Sequence, residues 1–182
     1  VSNIFFKAIV TISLSAVGVF GQTSPVRSVD SVDLNRYQGK WYEIAKFPNR
    51  FQKKCAGDTT ATYNLKPKGG IVVVNECRKA DGDKIVATGE AKVVNGASNS
   101  QLKVRFAPSF LSFLPMVWGD YWIIELDREY RYAVIGDPDR KYFWILSRTP
   151  QIDPSTYEAI LRRAGSQGFD TAKIQKTPQT GS

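Results

Sequence analysis

The chain has 182 residues, with 25 Lys and Arg against 17 Asp and Glu, no histidine, two cysteines and one methionine, for a formal charge of +8. Without histidine there is no Ser-His-Asp or Cys-His catalytic pair and no His-ligated zinc or haem, and two cysteines do not make a Cys₄ site. What remains is carboxylate or lysine chemistry, or a protein that binds rather than reacts. No metal and no cofactor are expected.

Residues 4–20 read IFFKAIVTISLSAVGVF, an apolar run broken once by Lys7. Val19 and Gly21 stand at −3 and −1 of a cut before Gln22, the pattern of a secretory signal peptide. The uncharged stretch, residues 8–20, is 13 residues long, short of the ~20 that a membrane-spanning helix needs. The cut removes 21 of the 182 residues and Lys7 with them, which leaves about 161 residues and a charge of +7. With no cysteine beside the cut to take a lipid anchor, the expectation is an exported protein, periplasmic or secreted, and at most peripheral to an outer membrane. In an oxidising compartment Cys55 and Cys77 form a disulfide; two buried thiols are the alternative. The basic residues are spread thinly, in no run longer than Lys53-Lys54 or Arg162-Arg163. Mild attraction to an anionic membrane surface is expected, and nucleic acid is not.

Beyond an N-terminal extension (22–32), short β-rich runs recur every 10 to 15 residues, separated by turn residues, as in an all-β barrel or sandwich. The first covers residues 40–47 and the second 59–65. The turn Lys66-Pro67-Lys68-Gly69-Gly70 then makes a hairpin with residues 71–77. Residues 85–93 follow the turn at Ala80-Asp81-Gly82-Asp83. Residues 101–106 alternate, with Leu102, Val104 and Phe106 on one face and Lys103 and Arg105 on the other. Residues 121–126, 131–136 and 141–147 complete eight strands. Asp153-Pro154 is an N-cap followed by proline at the first helical position. Tyr157, Ile160, Leu161 and Ala164 make an apolar helical stripe that ends at Gly165 or Gly168. A short strand (171–175) and a disordered tail (178–182) finish the chain. The pattern predicts an eight-stranded antiparallel up-and-down barrel with one C-terminal helix packed on its wall, enclosing room for about one small ligand.

Gly39-Lys40-Trp41-Tyr42-Glu43 resembles the G-x-W signature of the lipocalin family, and residues 33–37 before it resemble the turn that closes the barrel base. Leu126-Asp127-Arg128-Glu129-Tyr130 resembles the family's second motif, with Leu126 where threonine is usual. Trp144-Ile145-Leu146-Ser147-Arg148 resembles the third. The resemblance spans residues 33–177, taken as the folded domain, and is greatest to the branch of bacterial lipocalins, plant temperature-induced lipocalins and apolipoprotein D. It implies that Trp41 plugs the closed end with Arg148 across its ring, a cation–π contact of ~1–2 kcal/mol when shielded from water. Gly39 and Asp127 are structural in the same way.

With Trp41 facing inward, strict alternation places Glu43, Ala45 and Phe47 inside, and Tyr42 and Ile44 outside against the helix. The same reading puts Tyr63 and Leu65, then Leu102, Val104 and Phe106, then Tyr121 and Ile123, then Tyr142 and Trp144 on the cavity wall. Such a wall suits an acyl chain. Glu43 is the exception, a carboxylate that needs a partner or a proton there. The run from 107 to 118 joins the fifth and sixth strands at the open end. It carries Phe110, Phe113, Leu114, Met116 and Trp118 and no charge, and reads as a lid over the mouth or a membrane contact. The resemblance implies a carrier of fatty acid or lysophospholipid, a monomer or weak dimer, in membrane maintenance or stress response. Two other classes stay open: a lipid-modifying enzyme on the same barrel, and a protein-interaction module that uses the apolar loop.

Overall fold

The computed structural model describes residues 24–67 and 69–180. The expected signal segment lies outside the described residues. Helix α1 (Leu34–Tyr37) is a single turn, capped by Asp33, whose carboxylate accepts from the amides of Asn35 and Arg36. Eight strands follow: β1 (Gly39–Lys46), β2 (Gly57–Leu65), β3 (Ile71–Arg78), β4 (Lys84–Val93), β5 (Gln101–Arg105), β6 (Gly119–Leu126), β7 (Tyr132–Gly136) and β8 (Phe143–Ser147). Each pairs antiparallel with the next. Strand β1 pairs with both β8 and β2, which closes the barrel. Helix α2 (Pro154–Ser166) starts at Asp153, whose side chain accepts from the Thr156 amide, and buries Tyr157, Ile160 and Ala164.

Two apolar cores result. The inner one fills the base of the barrel with Trp41, Tyr63, Ile71, Val73, Leu102, Ile123 and Ile135 among others. The outer one lies between α2 and the barrel wall and holds Phe143, Ile145, Tyr157, Ile160 and Phe169. Gly136 belongs to this seam: a Cβ there would lie 2.5 Å from the Phe169 ring.

Strand β1 departs from strict alternation. Its register with β8 shifts between Glu43 and Ala45, and this bulge places Ile44 and Ala45 consecutively on the outer side. The period resumes with the opposite parity. Ala45 and Phe47, expected on the cavity wall, are therefore buried in the outer core under α2, and Lys46 takes the inward position. One extra residue in a strand flips every side chain after it.

The C-terminus also differs from expectation. Residues 171–173 form a 3₁₀ turn capped by Asp170, and the strand beyond it is β9 (Gln175–Lys176), paired with the end of β1. Of the expected tail, residues 178–180 are bonded into the wall, and 181–182 lie outside the described residues. Pro178 accepts from the Asp58 amide, Gln179 Nε2 donates to the carbonyls of Glu43 and Thr59, and Thr180 donates through its amide and its hydroxyl to Asp58. This segment fills the gap that opens where β1 and β2 part beyond Tyr42 and Thr60.

The closed end is held largely by side chains bonded to backbone. Trp41 is fully buried, and its indole donates to Tyr37 O. The Arg148 guanidinium lies 3.8 Å from the Trp41 ring centroid. It donates to the carbonyls of Arg36, Tyr37, Gln38 and Lys40. Gly39 has φ +92°, and a Cβ there would stand 3.4 Å from the same guanidinium. Asp127 organises the turn between β6 and β7 by accepting from the amides of Glu129 and Arg131 and from the Arg131 side chain. Hydrogen bonds from Arg131 hold the Asp127 carboxyl down at a pKa of about 2.

Two outcomes follow from this base. Arg148→Met keeps the aliphatic stem but strands four carbonyls, and is expected to lower unfolding free energy by about 2–4 kcal/mol in urea titrations. For Asp127 the folded pKa lies below that of the unfolded chain. The unfolded state therefore takes up the proton first on acidification, and the stabilisation is complete above about pH 4 and lost towards pH 2. Asp127→Asn should be less stable than the parent at pH 6 and should lose less stability than the parent between pH 6 and pH 3.

Candidate functional site

Burial along the inner wall falls from base to mouth. At the base Trp41, Ile123, Ala133 and Ile135 are all at 0% exposure. Higher up, the inward Val104, Tyr142, Trp144, Asn75 and Ile85 are half-buried, and Ala87 and Phe106 are exposed. The gradient arises because β5 pairs with β4 only over Glu90–Val93. The rest of β4 towards Lys84 has its β3 partner alone. The Phe106 ring closes part of this opening. It lies over Gly89, where a Cβ would come within 2.7 Å of it.

The expected lining residues therefore divide. Leu102, Tyr63, Tyr121 and Ile123 are buried in the inner core, and Leu65 packs against it near the closed end. The hydroxyl of Tyr121 is hydrogen-bonded to those of Tyr37 and Tyr63 at 2.8 and 2.7 Å. Burial pushes all three phenols well above their usual pKa. Val104, Phe106, Tyr142 and Trp144 line the accessible upper half, where Tyr142 and Trp144 stack at 5.8 Å. Ile85, Ala87 and Asn75 join them. The alternation that runs through Ile71, Val73 and Ala91 identifies these three once it is extended along β3 and β4.

Glu43 is inward and 3% exposed. Its partners come from three segments. Gln52 Nε2 donates to Oε2 at 2.5 Å, Thr177 Oγ1 donates to Oε1 at 2.5 Å, and Lys46 Nζ lies 3.6 Å from Oε1. Gln52 stands on a 3₁₀ turn (Arg50–Gln52) capped by Asn49, and its Oε1 accepts from Asn49 and from the Trp144 indole. The first loop thus folds inward over the β8 wall, with Phe51 5.9 Å from Tyr142. The Cys55–Cys77 disulfide ties the same loop to the end of β3, with Cα atoms 5.6 Å apart.

Between β5 and β6 the chain makes two 3₁₀ turns, Ser109–Leu111 and Pro115–Val117. Phe110, Phe113 and Met116 project into solvent at 75%, 75% and 86% exposure, and Leu114 is half-buried. Trp118 is placed on the outer wall instead of the mouth. Its ring lies under the Lys92 ammonium at 4.2 Å and the Arg105 guanidinium at 5.1 Å, and its indole donates to Ser112 O. A separate pocket of about 360 Å³ lies on the outside, over β1 to β4 beside the C-terminal segment. Lys40, Asp58, Glu76, Arg78 and Lys84 are among the residues that line it.

A closed antiparallel barrel, plugged at one end and with an accessible, mainly apolar inner wall at the other, defines a small-molecule-binding barrel. The sequence matches the family described as "Lipocalin-like domain" over residues 32–179. It is 45% identical over 154 residues to temperature-induced lipocalin-1 of Arabidopsis thaliana, covering 84% of this chain and 82% of that protein. It is 39% identical over 177 residues to outer membrane lipoprotein Blc of Citrobacter freundii, covering 96% of both. To apolipoprotein D of Mus musculus it is 32% identical over 158 residues, covering 82% and 78%. Among solved structures, insecticyanin from the tobacco hornworm Manduca sexta superposes with a TM-score of 0.67 at 22% identity over 88% of each chain, a likeness of fold alone. The chain belongs to the lipocalin family, whose members bind small hydrophobic ligands.

Proposed function

We propose that this lipocalin is an exported carrier that holds a long-chain fatty acid or lysophospholipid in the upper barrel, in membrane maintenance or stress response. The observation that carries this reading is the exposure gradient. Apolar side chains that face inward yet remain solvent-accessible, such as Val104, Phe106, Trp144 and Ala87, form a concave surface that an acyl chain covers. Each Å² removed from water contributes ~25 cal/mol. Export is supported by the disulfide, which persists in oxidising compartments. A carrier rather than an enzyme is supported by two features: both cysteines are bridged, and both Glu43 oxygens are engaged by neighbours.

The loop between β5 and β6 is the proposed membrane contact. Phe110, Phe113 and Met116 present apolar surface without charge, and the first loop adds exposed Phe51 with Arg50, Lys53 and Lys54 around it. Apolar side chains flanked by cations match an anionic bilayer surface.

Titration of a fluorescent fatty acid into delipidated protein should saturate at one equivalent, with affinity rising with chain length. Absence of saturable binding across the chain-length series would overturn the carrier reading. Phe110→Asp/Phe113→Asp should weaken co-sedimentation with phosphatidylglycerol-containing vesicles about tenfold or more while leaving fatty-acid affinity in solution intact. Unchanged vesicle binding would remove the membrane role.

A further inference from the structure

The bulge in β1 brings a cation into the barrel. Lys46 pairs with Trp144 across β1 and β8, and the Trp144 side chain packs against the inner core. The Lys46 side chain is 14% exposed, with Nζ 3.6 Å from Glu43 Oε1. Glu43 itself is engaged elsewhere, through short hydrogen bonds from Thr177 and Gln52. Among the described residues the Lys46 ammonium makes no hydrogen bond. A lysine carries three donors and no acceptor. This one stands on the inner wall opposite Trp144, held by its ion pair with Glu43 and with donors left over for a further partner.

Among the described residues, two polar atoms on the same wall, Thr59 Oγ1 and Asn75 Oδ1, are buried without a hydrogen-bond partner. Thr59 is 6% exposed. It faces Glu43 across the gap between β1 and β2, which Gln179 Nε2 spans by donating to the carbonyls of both residues. Asn75 lies opposite Ala61, two residues further along β2. Buried polar groups normally find partners; Asn75 Oδ1 only accepts and calls for a donor, whereas the Thr59 hydroxyl can donate to a ligand oxygen. The ammonium fixes the sign of the ligand's charge.

We propose that Lys46 anchors the anionic head of the bound amphiphile, a carboxylate or a phosphate, with the Thr59 hydroxyl as a second donor. The proposal rests on the carrier reading above and specifies how the ligand is oriented: head against β1 and β2 at the level of Glu43, chain along the apolar upper wall. Glu43 is a positioning residue here. It holds the ammonium in the barrel and does not itself touch the head.

The test is competitive displacement of a fluorescent fatty acid by three ligands with the same acyl chain: the free acid, its methyl ester and the lysophosphatidate. The parent protein should bind the acid and the phosphate about tenfold or more tightly than the ester, as expected for a charge-assisted hydrogen bond. Lys46→Met should lose that preference while keeping ester affinity, and Lys46→Arg should retain it. Because Lys46→Met leaves Glu43 without its cation, the charge-balanced Glu43→Gln/Lys46→Met variant is measured beside it and should show the same loss. The order of acid and phosphate in the parent tells which lipid class supplies the head. Equal binding of acid and ester by the parent, or an anion preference that survives in Lys46→Met and in the double variant, overturns the anchor and leaves the carrier reading standing. Failure of all three ligands to bind overturns the carrier reading itself.

Discussion

Strand β1 serves two cores, and the single extra residue between Glu43 and Ala45 is what allows it. Before the bulge, Trp41 plugs the base from inside. After it, Phe47 packs with Phe143 and Phe169 beneath α2. A regular strand would have turned Phe47 into the barrel and Lys46 into that aromatic cluster, where an unpaired ammonium costs several kcal/mol. Bulges also sharpen strand twist. Here β1 leaves β2 after Tyr42 and takes β9 as its next partner, so the same residue opens the seam that the C-terminal segment fills.

The two ends of the barrel are held by different means. At the base, one guanidinium satisfies four carbonyls, a capped turn closes the floor, and Tyr130 OH accepts from the Asp33 amide to tie the β6–β7 turn to it. At the mouth the ties are a disulfide, a glutamine folded inward and a terminal segment. The disulfide closes a loop of 22 residues, a constraint that acts mainly on the unfolded chain. Local opening in proteins concentrates where buried apolar contacts are few. The mouth, where inward side chains such as Val104 and Trp144 stay partly exposed, buries less apolar surface than the base, where Trp41, Ile123 and Ile135 are fully buried.

Much of the architecture was legible because it depends on local chemistry. Turn residues mark the hairpins, Asp153 and Pro154 mark the helix start, and period-two alternation puts Leu102, Val104, Tyr121 and Trp144 on one face, the face that packs with the inner core. Alternation is blind to a bulge, and Ala45 and Phe47 are as apolar as any cavity residue, so nothing local distinguishes the outer core from the inner. Trp118 escapes the sequence pattern for a related reason. An indole in an apolar loop reads as part of the mouth, yet the cations over its ring, Lys92 and Arg105, come from the outer faces of β4 and β5. The partners of Glu43 come from residues 46, 52 and 177, and only the closed fold brings them together.

A purely apolar cavity grips any chain that fits, because hydrophobic burial is non-directional. Polar groups set into such a wall change that. Among the described residues Thr59 Oγ1 and Asn75 Oδ1 have no hydrogen-bond partner, and each unmet buried group of this kind costs roughly 1–3 kcal/mol unless water serves it. A ligand that supplies matching atoms recovers the cost, and one that buries only methylenes there makes it permanent. On the anchor proposal, the acyl chain supplies most of the affinity and the Lys46 corner supplies the selectivity. The buried ion pair then serves orientation rather than stability, which is consistent with the small net worth of such pairs in folding.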